Sequence, residues 1–290
     1  MEPGRRCSVD RPDPRSVLRG PWAGLCVLLA CASTPPATEI PPPAPVATSA
    51  PAGDEAAAPR PSARRAPQGP PPPVFPANEA SVRPGVNDAY RKGPVDRFVA
   101  RFEGPDREVA AHKSDILAFL DLRPKMVVAD VGAGTGLYTF DLAEAVGPDG
   151  RVYAVDVTPS FLDHLRTQKA QRDASNVTVV AADPKDAHLP EASVDLALLC
   201  DVYHHLEYPR TYLASVYWAL RPGGTLVIVD FRRDPKTSPE WVLSHVRAGQ
   251  DDVRAEVESV GFLYVGEGPP LSQNYVMAFR KPTGESAASH

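Results

Sequence analysis

The stretch Val127-Val-Ala-Asp-Val-Gly-Ala-Gly-Thr-Gly-Leu-Tyr138 restricts the possible folds of this chain more than any other. An apolar run with one acid ends in three glycines separated by single small residues, and an amphipathic segment follows. Extended chain has to enter that turn and a helix has to leave it. Glycine permits the backbone angles of such a turn and lets the main chain approach a ligand, while the helix start offers amide groups to polar or anionic atoms. The spacing Gly132-x-Gly134-x-Gly136 is not G-x-G-x-x-G, because Leu137 follows Gly136. That difference turns the expectation away from a dinucleotide and its pyrophosphate.

From Val95 onward the pattern alternates between short apolar runs and amphipathic segments, which predicts a parallel sheet with crossover helices. Strands are expected at Met126–Val131, Arg151–Asp156, Asn176–Ala181, Val194–Cys200, Thr225–Phe231, Phe262–Gly266 and Tyr275–Phe279. Helices are expected at Tyr138–Val146, Ser160–Ala170, Tyr208–Leu220, Pro239–Ala248 and Asp251–Val260. Arg221-Pro222-Gly223-Gly224 reads as a helix stop that turns into the fifth strand. No helix separates the last two strands, so they are expected to pair antiparallel at a sheet edge. An amphipathic stretch at Val95–Leu120 is placed to cap the sheet or cover a site.

Acids close the neighbouring strands. Asp156 ends the second, about twenty residues past the glycines, where a carboxylate can accept both hydroxyls of a ribose. Asp183 follows the third, and the fourth runs into Cys200-Asp201-Val-Tyr-His-His-Leu206. With Asp130-Val-Gly-Ala-Gly-Thr-Gly136 and Leu220-Arg-Pro-Gly-Gly-Thr-Leu226, this set resembles the class I S-adenosylmethionine-dependent methyltransferases, in particular the group containing the ubiquinone/menaquinone C-methyltransferases. The resemblance covers roughly Val95 to Lys281. It implies an α/β, Rossmann-like, mostly parallel seven-stranded sheet flanked by helices, with the last strand antiparallel, and S-adenosyl-L-methionine as cofactor. It further implies that Gly132, Gly134 and Gly136 line the aminoacyl and ribose portion of the cofactor. Asp156 would hold its ribose, Asp183 its adenine and Asp201 its methionine end, with Asp130 steadying the loop.

Methyl transfer asks little of side chains, since orientation alone can lower the barrier by about 7–11 kcal/mol. A base is needed only where the acceptor must lose a proton. His204, after the fourth strand, is the expected catalytic group, and Tyr203, His205 and His245 are the expected acceptor contacts. Cys200, Asp201, His204, His205 and the distant His245 lack the spacing of a metal motif, so no metal is expected. Trp241 and Arg247 share a helix with His245, and packing explains them equally well.

Composition sets the domain limits. Of 34 prolines, 19 precede Ala77, and a segment that rich in proline and poor in apolar period does not build a core. Five arginines in residues 1–19, the apolar run Trp22–Ala30 and then Cys31 resemble a bacterial lipoprotein signal, the run being far short of the roughly 20 residues of a membrane-spanning helix. The expected organisation is therefore a signal over 1–31 with lipidation at Cys31, a Pro/Ala-rich linker over 32–85, the methyltransferase domain over 86–283 and a tail over 284–290. A lipid-anchored place in the cell envelope follows, the alternative being the cytoplasm. The net charge of −5 argues against a nucleic-acid partner, as does the lack of an Asn-Pro-Pro-Tyr-like run after the fourth strand. A small-molecule or lipid-soluble acceptor is expected. The alternative function is an exported module that binds the nucleoside cofactor without turnover.

Overall fold

The computed structural model describes residues 78–91 and 94–283. The leader, Cys31, most of the linker and the tail lie outside the described residues. Among the described residues, no helix is long and apolar enough to cross a membrane.

Three short helices come first: α1 (Val95–Phe102), α2 (Glu108–Ala111) and α3 (Lys113–Phe119). Strands and crossover helices then alternate as β1 (Val127–Val131), α4 (Thr139–Val146), β2 (Arg151–Asp156), α5 (Pro159–Gln171), β3 (Val177–Ala181), β4 (Val194–Cys200), α6 (Pro209–Ala219) and β5 (Leu220–Phe231). The chain closes with α7 (Glu240–His245), α8 (Gln250–Ser259), β6 (Leu263–Glu267) and β7 (Asn274–Arg280). The seven strands form one sheet in the order β3-β2-β1-β4-β5-β7-β6. Strands β1 to β5 pair parallel, and β7 runs antiparallel to both neighbours. The expected fold class is thereby met, and β6 and β7 pair antiparallel, with β6 at the edge.

The two-residue period of the strands sorts the core into two layers. Ala129, Val131, Ala197 and Leu199 meet α6 and α8 through Leu213, Val216, Val253 and Val257. Val128, Val152, Leu196 and Leu198 face the opposite way, onto Ile116, Leu142 and Leu165. Both faces of β4 are thus buried, which is why its sequence reads as an unbroken apolar run rather than an alternating one.

Several boundaries differ from expectation: the helix expected over Pro239–Ala248 spans only Glu240–His245, which leaves Arg247 outside it, and two other differences reshape the domain. Strand β5 starts at Leu220, and the residues Arg221–Gly224 belong to it as an irregularity: the register with β4 shifts between Val194 and Leu196. Gly223 takes a φ of 80° there, and its amide donates to the Lys281 carbonyl. The second difference lies before α1. Glu79 accepts hydrogen bonds from the amides of Arg210 and Thr211 at 3.1 and 2.8 Å, serving the open first turn of α6 from more than a hundred residues away. Ser81 donates to Glu207, Val82 donates to the Glu207 carbonyl, and Arg83 donates to the carbonyls of Ser244 and His245. Residues 79–83, expected as the end of the linker, form a strap against the domain.

The sheet order reverses between β1 and β4, so the connections after these two strands leave on opposite sides and open a crevice at their carboxyl ends. The glycine turn, Asp156, Asp201 and the two adjacent histidines all arise at that edge.

Candidate functional site

The glycine turn is fixed by backbone bonds to the next strand. The amides of Gly132 and Ala133 both donate to the Val155 carbonyl, at 2.8 and 2.9 Å. Gly132 has a φ of 73°, and a Cβ there would come within 2.4 Å of the Val202 side chain, so no other residue fits without displacement. Gly134, at φ 56°, has no neighbour closer than 3.8 Å to its would-be Cβ and leaves the cavity side of the turn bare. Asp156 completes the turn: Oδ2 accepts from the Gly134 amide at 2.8 Å and Oδ1 from the Thr158 amide at 2.7 Å. Burial raises its carboxyl above the ordinary value. Asp130 is also buried, accepts the Thr139 hydroxyl at 2.6 Å and is pushed up to about 6 by loss of solvent. It ties the end of β1 to the start of α4.

A cavity of about 540 Å³ opens from this turn, within the range of roughly 300–1,000 Å³ common for ligand sites. Asp130, Gly132, Gly134, Asp156 and Asp201 line it. Two expected cofactor residues do not. Gly136 faces the other way, its would-be Cβ 3.1 Å from Leu165 and Phe140, so it serves the packing of α4 on α5. Asp183 is exposed, and its Oδ1 accepts the amides of Lys185 and Asp186 at 2.7 and 2.9 Å. The turn after β3 consumes that carboxylate, and Pro184 reaches the cavity instead.

Asp201 ends β4 in a left-handed conformation, φ 52°. Its Oδ2 accepts Arg107 Nε and Nη2 at 3.1 and 2.7 Å, and its Oδ1 accepts Asn274 Nδ2 at 2.6 Å. Burial pushes the carboxyl up to about 6 against the opposing pull of Arg107. Asp201 therefore anchors the cavity wall. Glu108, at the start of α2, accepts the amides of Ser272, Gln273 and Asn274 and so holds the β6–β7 loop that delivers Asn274.

The far wall is built by imidazoles. His204 is buried; its ring Nδ1 lies 2.7 Å from Asp230 Oδ1, and its amide donates to Oδ2 at 3.0 Å. His205 Nε2 lies 3.2 Å from the Tyr90 hydroxyl, whereas its Nδ1 is buried with no partner among the described residues. Burial, then the neighbouring His204 and His245, hold His205 down to about 2. His245, half-buried on α7, is lowered by burial and by His204. The ring centroids lie 4.1 Å apart for His204 and His205, and 5.1 Å from each to His245. Residues separated by forty positions thus meet in one wall. Tyr203 departs from expectation as an acceptor contact. It is buried away from the cavity, its hydroxyl donates to Glu256 at 2.6 Å, and Arg247 sits over its ring.

Sequence reasoning missed Tyr90, Phe102 and Arg107, which close the cavity from the N-terminal side. Tyr90, Phe98, Phe102 and Phe161 form one aromatic cluster, with Tyr90 edge-on to His205 at 5.0 Å. The signal for Phe102 and Arg107 was the amphipathic stretch Val95–Leu120, which marked a cover without marking its residues; Tyr90, in the turn Asp88–Arg91, had none.

Comparison with known proteins points to methyltransferases. A methyltransferase-domain family model matches residues 129–226, the span from β1 through the start of β5. An arsenite methyltransferase of Halobacterium salinarum is 32% identical over 162 residues, 52% of this chain and 41% of that protein. A ubiquinone/menaquinone biosynthesis C-methyltransferase of Ectopseudomonas mendocina is 30% identical over 39% of this chain and 44% of its own length. The chain spans less than half the length of these curated relatives. Among solved structures, a SAM-dependent methyltransferase from Aquifex aeolicus superposes with a TM-score of 0.58 at 21% identity, covering 65% of this chain and 99% of that one.

Residues 129–226 thus match a methyltransferase domain, and the fold is the Rossmann-like one seen in a solved S-adenosylmethionine-dependent methyltransferase. Domain and fold imply S-adenosylmethionine as the cofactor. The residues present fit it: two glycines whose side-chain space is shut by Val202 or left bare, and buried carboxylates from the ends of β1 and β2.

Proposed function

We propose that the chain transfers the methyl group of S-adenosylmethionine to a small-molecule or lipid-soluble acceptor held in the same cavity. The carrying observation is continuity: one cavity runs from the bare face of Gly134 to the imidazole wall, so cofactor and acceptor meet inside a single enclosure. When bound, the cofactor supplies an electrophilic methyl on a sulfonium, already a good leaving group. Gly132 and Gly134 allow its close approach, and the free lone pairs of Asp156 accept from its ribose. Asp201, locked by Arg107 and Asn274, sets the floor beneath its methionine end. Phe102, Tyr90 and Phe161 exclude water from the path between the two ligands.

On the acceptor side, Phe231, Trp241 and the three imidazoles give a wall that is apolar with a few nitrogen atoms. That suits a flat or apolar molecule bearing one oxygen, nitrogen or sulfur at the reacting position. The relatives' names, an arsenite methyltransferase and a ubiquinone/menaquinone biosynthesis C-methyltransferase, do not share one acceptor, so the lining of the wall supports the reading. His204, oriented by Asp230 and lining the cavity, is the group placed to take a proton from an acceptor that must lose one.

Titration calorimetry with S-adenosylmethionine, followed by incubation of a cell extract with methyl-labelled cofactor, tests the proposal. Binding with label transferred to an organic-soluble product is expected; binding with no transfer to any extract component would leave a cofactor-binding module. We also propose a cell-envelope location through a lipid on Cys31, supported by the order of basic leader, short apolar run and Leu28-Leu29-Ala30-Cys31. Mass spectrometry of membrane fractions should find a diacylated peptide beginning at Cys31, and an unprocessed soluble chain would refute it.

A further inference from the structure

We propose that His204, His205 and His245 form a binding site for a divalent transition metal of the zinc class, with its remaining position open to the cavity. The proposal rests on the preceding functional reading only for the occupant of that open position, which would be the oxygen or sulfur of the methyl acceptor.

Three of the chain's seven histidines converge here from two distant segments. One ring nitrogen from each lies within 4.8 Å of the other two. Zinc–imidazole bonds of about 2.0–2.1 Å place the nitrogens of a tetrahedral site about 3.4 Å apart, so closure takes ring rotations of modest size. His245, half-buried at the end of a six-residue helix, is the ligand with room to make them.

The surroundings match a metal site beyond the three rings. Metal-bound histidines characteristically give their second nitrogen to a carboxylate or another polar partner, which fixes ring orientation and tautomer. Asp230 holds Nδ1 of His204 at 2.7 Å and leaves Nε2 free for a ligand. Tyr90 holds Nε2 of His205 at 3.2 Å and leaves Nδ1, a buried nitrogen with no partner among the described residues. A buried ring nitrogen without a partner is costly and calls for an explanation, which a cation supplies. Arg83 grips the carbonyls of Ser244 and His245 and so holds the third ligand's backbone against the other two.

The donor set selects the ion. Three imidazoles with no thiolate favour zinc, copper, nickel or iron over magnesium or calcium, and three protein ligands with an open position is the pattern of a site that works on a substrate. A dipositive ion at that place makes an acceptor hydroxyl or thiol lose its proton to solvent more readily, which prepares the atom that receives the methyl group. No metal was expected from spacing, because the third histidine is forty residues from the first two and only the fold brings it near.

The test uses the full chain after dialysis against chelator, titrated with zinc chloride by calorimetry and with cobalt chloride by visible absorption. One zinc per chain and the intense bands of four-coordinate cobalt are expected. His245→Ala and His205→Ala should weaken zinc by about tenfold or more, and Asp230→Asn by about tenfold. Circular dichroism checks that each variant is folded, and His245→Asn serves should His245→Ala not be. Equal zinc affinity in wild type and the folded His245 variant would assign the metal to other groups, such as the leader cysteines, and overturn the proposal. So would a cobalt spectrum of six-coordinate type, or transfer activity indifferent to chelator, which would leave His204 as a simple base. Titrating S-adenosylmethionine into the zinc-free chain separates the two proposals. Zinc bound without any cofactor binding would sink the methyltransferase reading alone, and cofactor bound without zinc would sink this one.

Discussion

The two ends of the cavity are built by different means. At the cofactor end, the ligand surface is mostly main chain, held by bonds between β1, its glycine turn and β2, all within some thirty residues. At the other end the surface is side chain, gathered from Tyr90, α1, the turn after β4 and α7. The first end is tied to the strands of the core, so a change there propagates to stability and to cofactor together. The second end can be altered with the sheet intact.

Gly132→Ala should produce the largest effect and defines one side of the comparison. Its Cβ would lie 2.4 Å from Val202 at a φ of 73°, and overpacking plus backbone strain together cost about 3–4 kcal/mol. Urea unfolding and cofactor calorimetry should fall together; a cofactor loss without a stability loss would break the link between turn and core. Next comes Asp201→Ala, which leaves Arg107 and Asn274 without their buried acceptor and is expected to cost about 3 kcal/mol in the same unfolding measurement.

Asp130 gives a pH-dependent contrast. Its carboxyl moves from the ordinary 3.8 to about 6 on folding, so its contribution is fully present below about pH 4 and is lost as pH rises through about 6. The cost of keeping it ionised approaches about 2–3 kcal/mol at neutral pH. Asp130→Asn should therefore gain on wild type in thermal midpoint from pH 4 to pH 7.5; a constant difference across that range would refute it. The smallest effect is expected at the acceptor end. Glu79→Ala removes a distant cap from α6 and should cost about 1 kcal/mol, with cofactor affinity unchanged and acceptor turnover reduced. A matching loss of cofactor affinity would erase the distinction between the two ends.

Legibility in the sequence follows the same division. The sheet, most of its strand limits and its antiparallel pair were readable because apolar periodicity and glycine placement are local properties; the start of β5 was not, because Arg221–Gly224 reads as a turn yet joins the strand. The gathering of Gly132, Gly134, Asp130 and Asp156 around one turn and one cavity was readable for the same reason, since the motif that contains them also shapes them. Gly136 was misplaced because the pattern does not say which glycine faces outward, and Asp183 because a two-residue turn competes for its carboxylate. Tyr203 failed for a related reason: the helical turn after β4 sends adjacent side chains in different directions, so His204 and His205 reach the cavity while Tyr203 reaches Glu256. Arg107 and Tyr90 were invisible, as their roles exist only once α1 and α2 lie across the crevice.

The strap before α1 has a practical consequence for anyone trimming the protein. Starting the chain at residue 86, where proline-rich composition gives way, would preserve every strand and helix and would look sound by circular dichroism. It would nonetheless release α6 from Glu79 and the end of α7 from Arg83. On the proposed function, such a shortened chain should keep its grip on the cofactor while the wall around His245 drifts, a defect that only an assay of methyl transfer would expose.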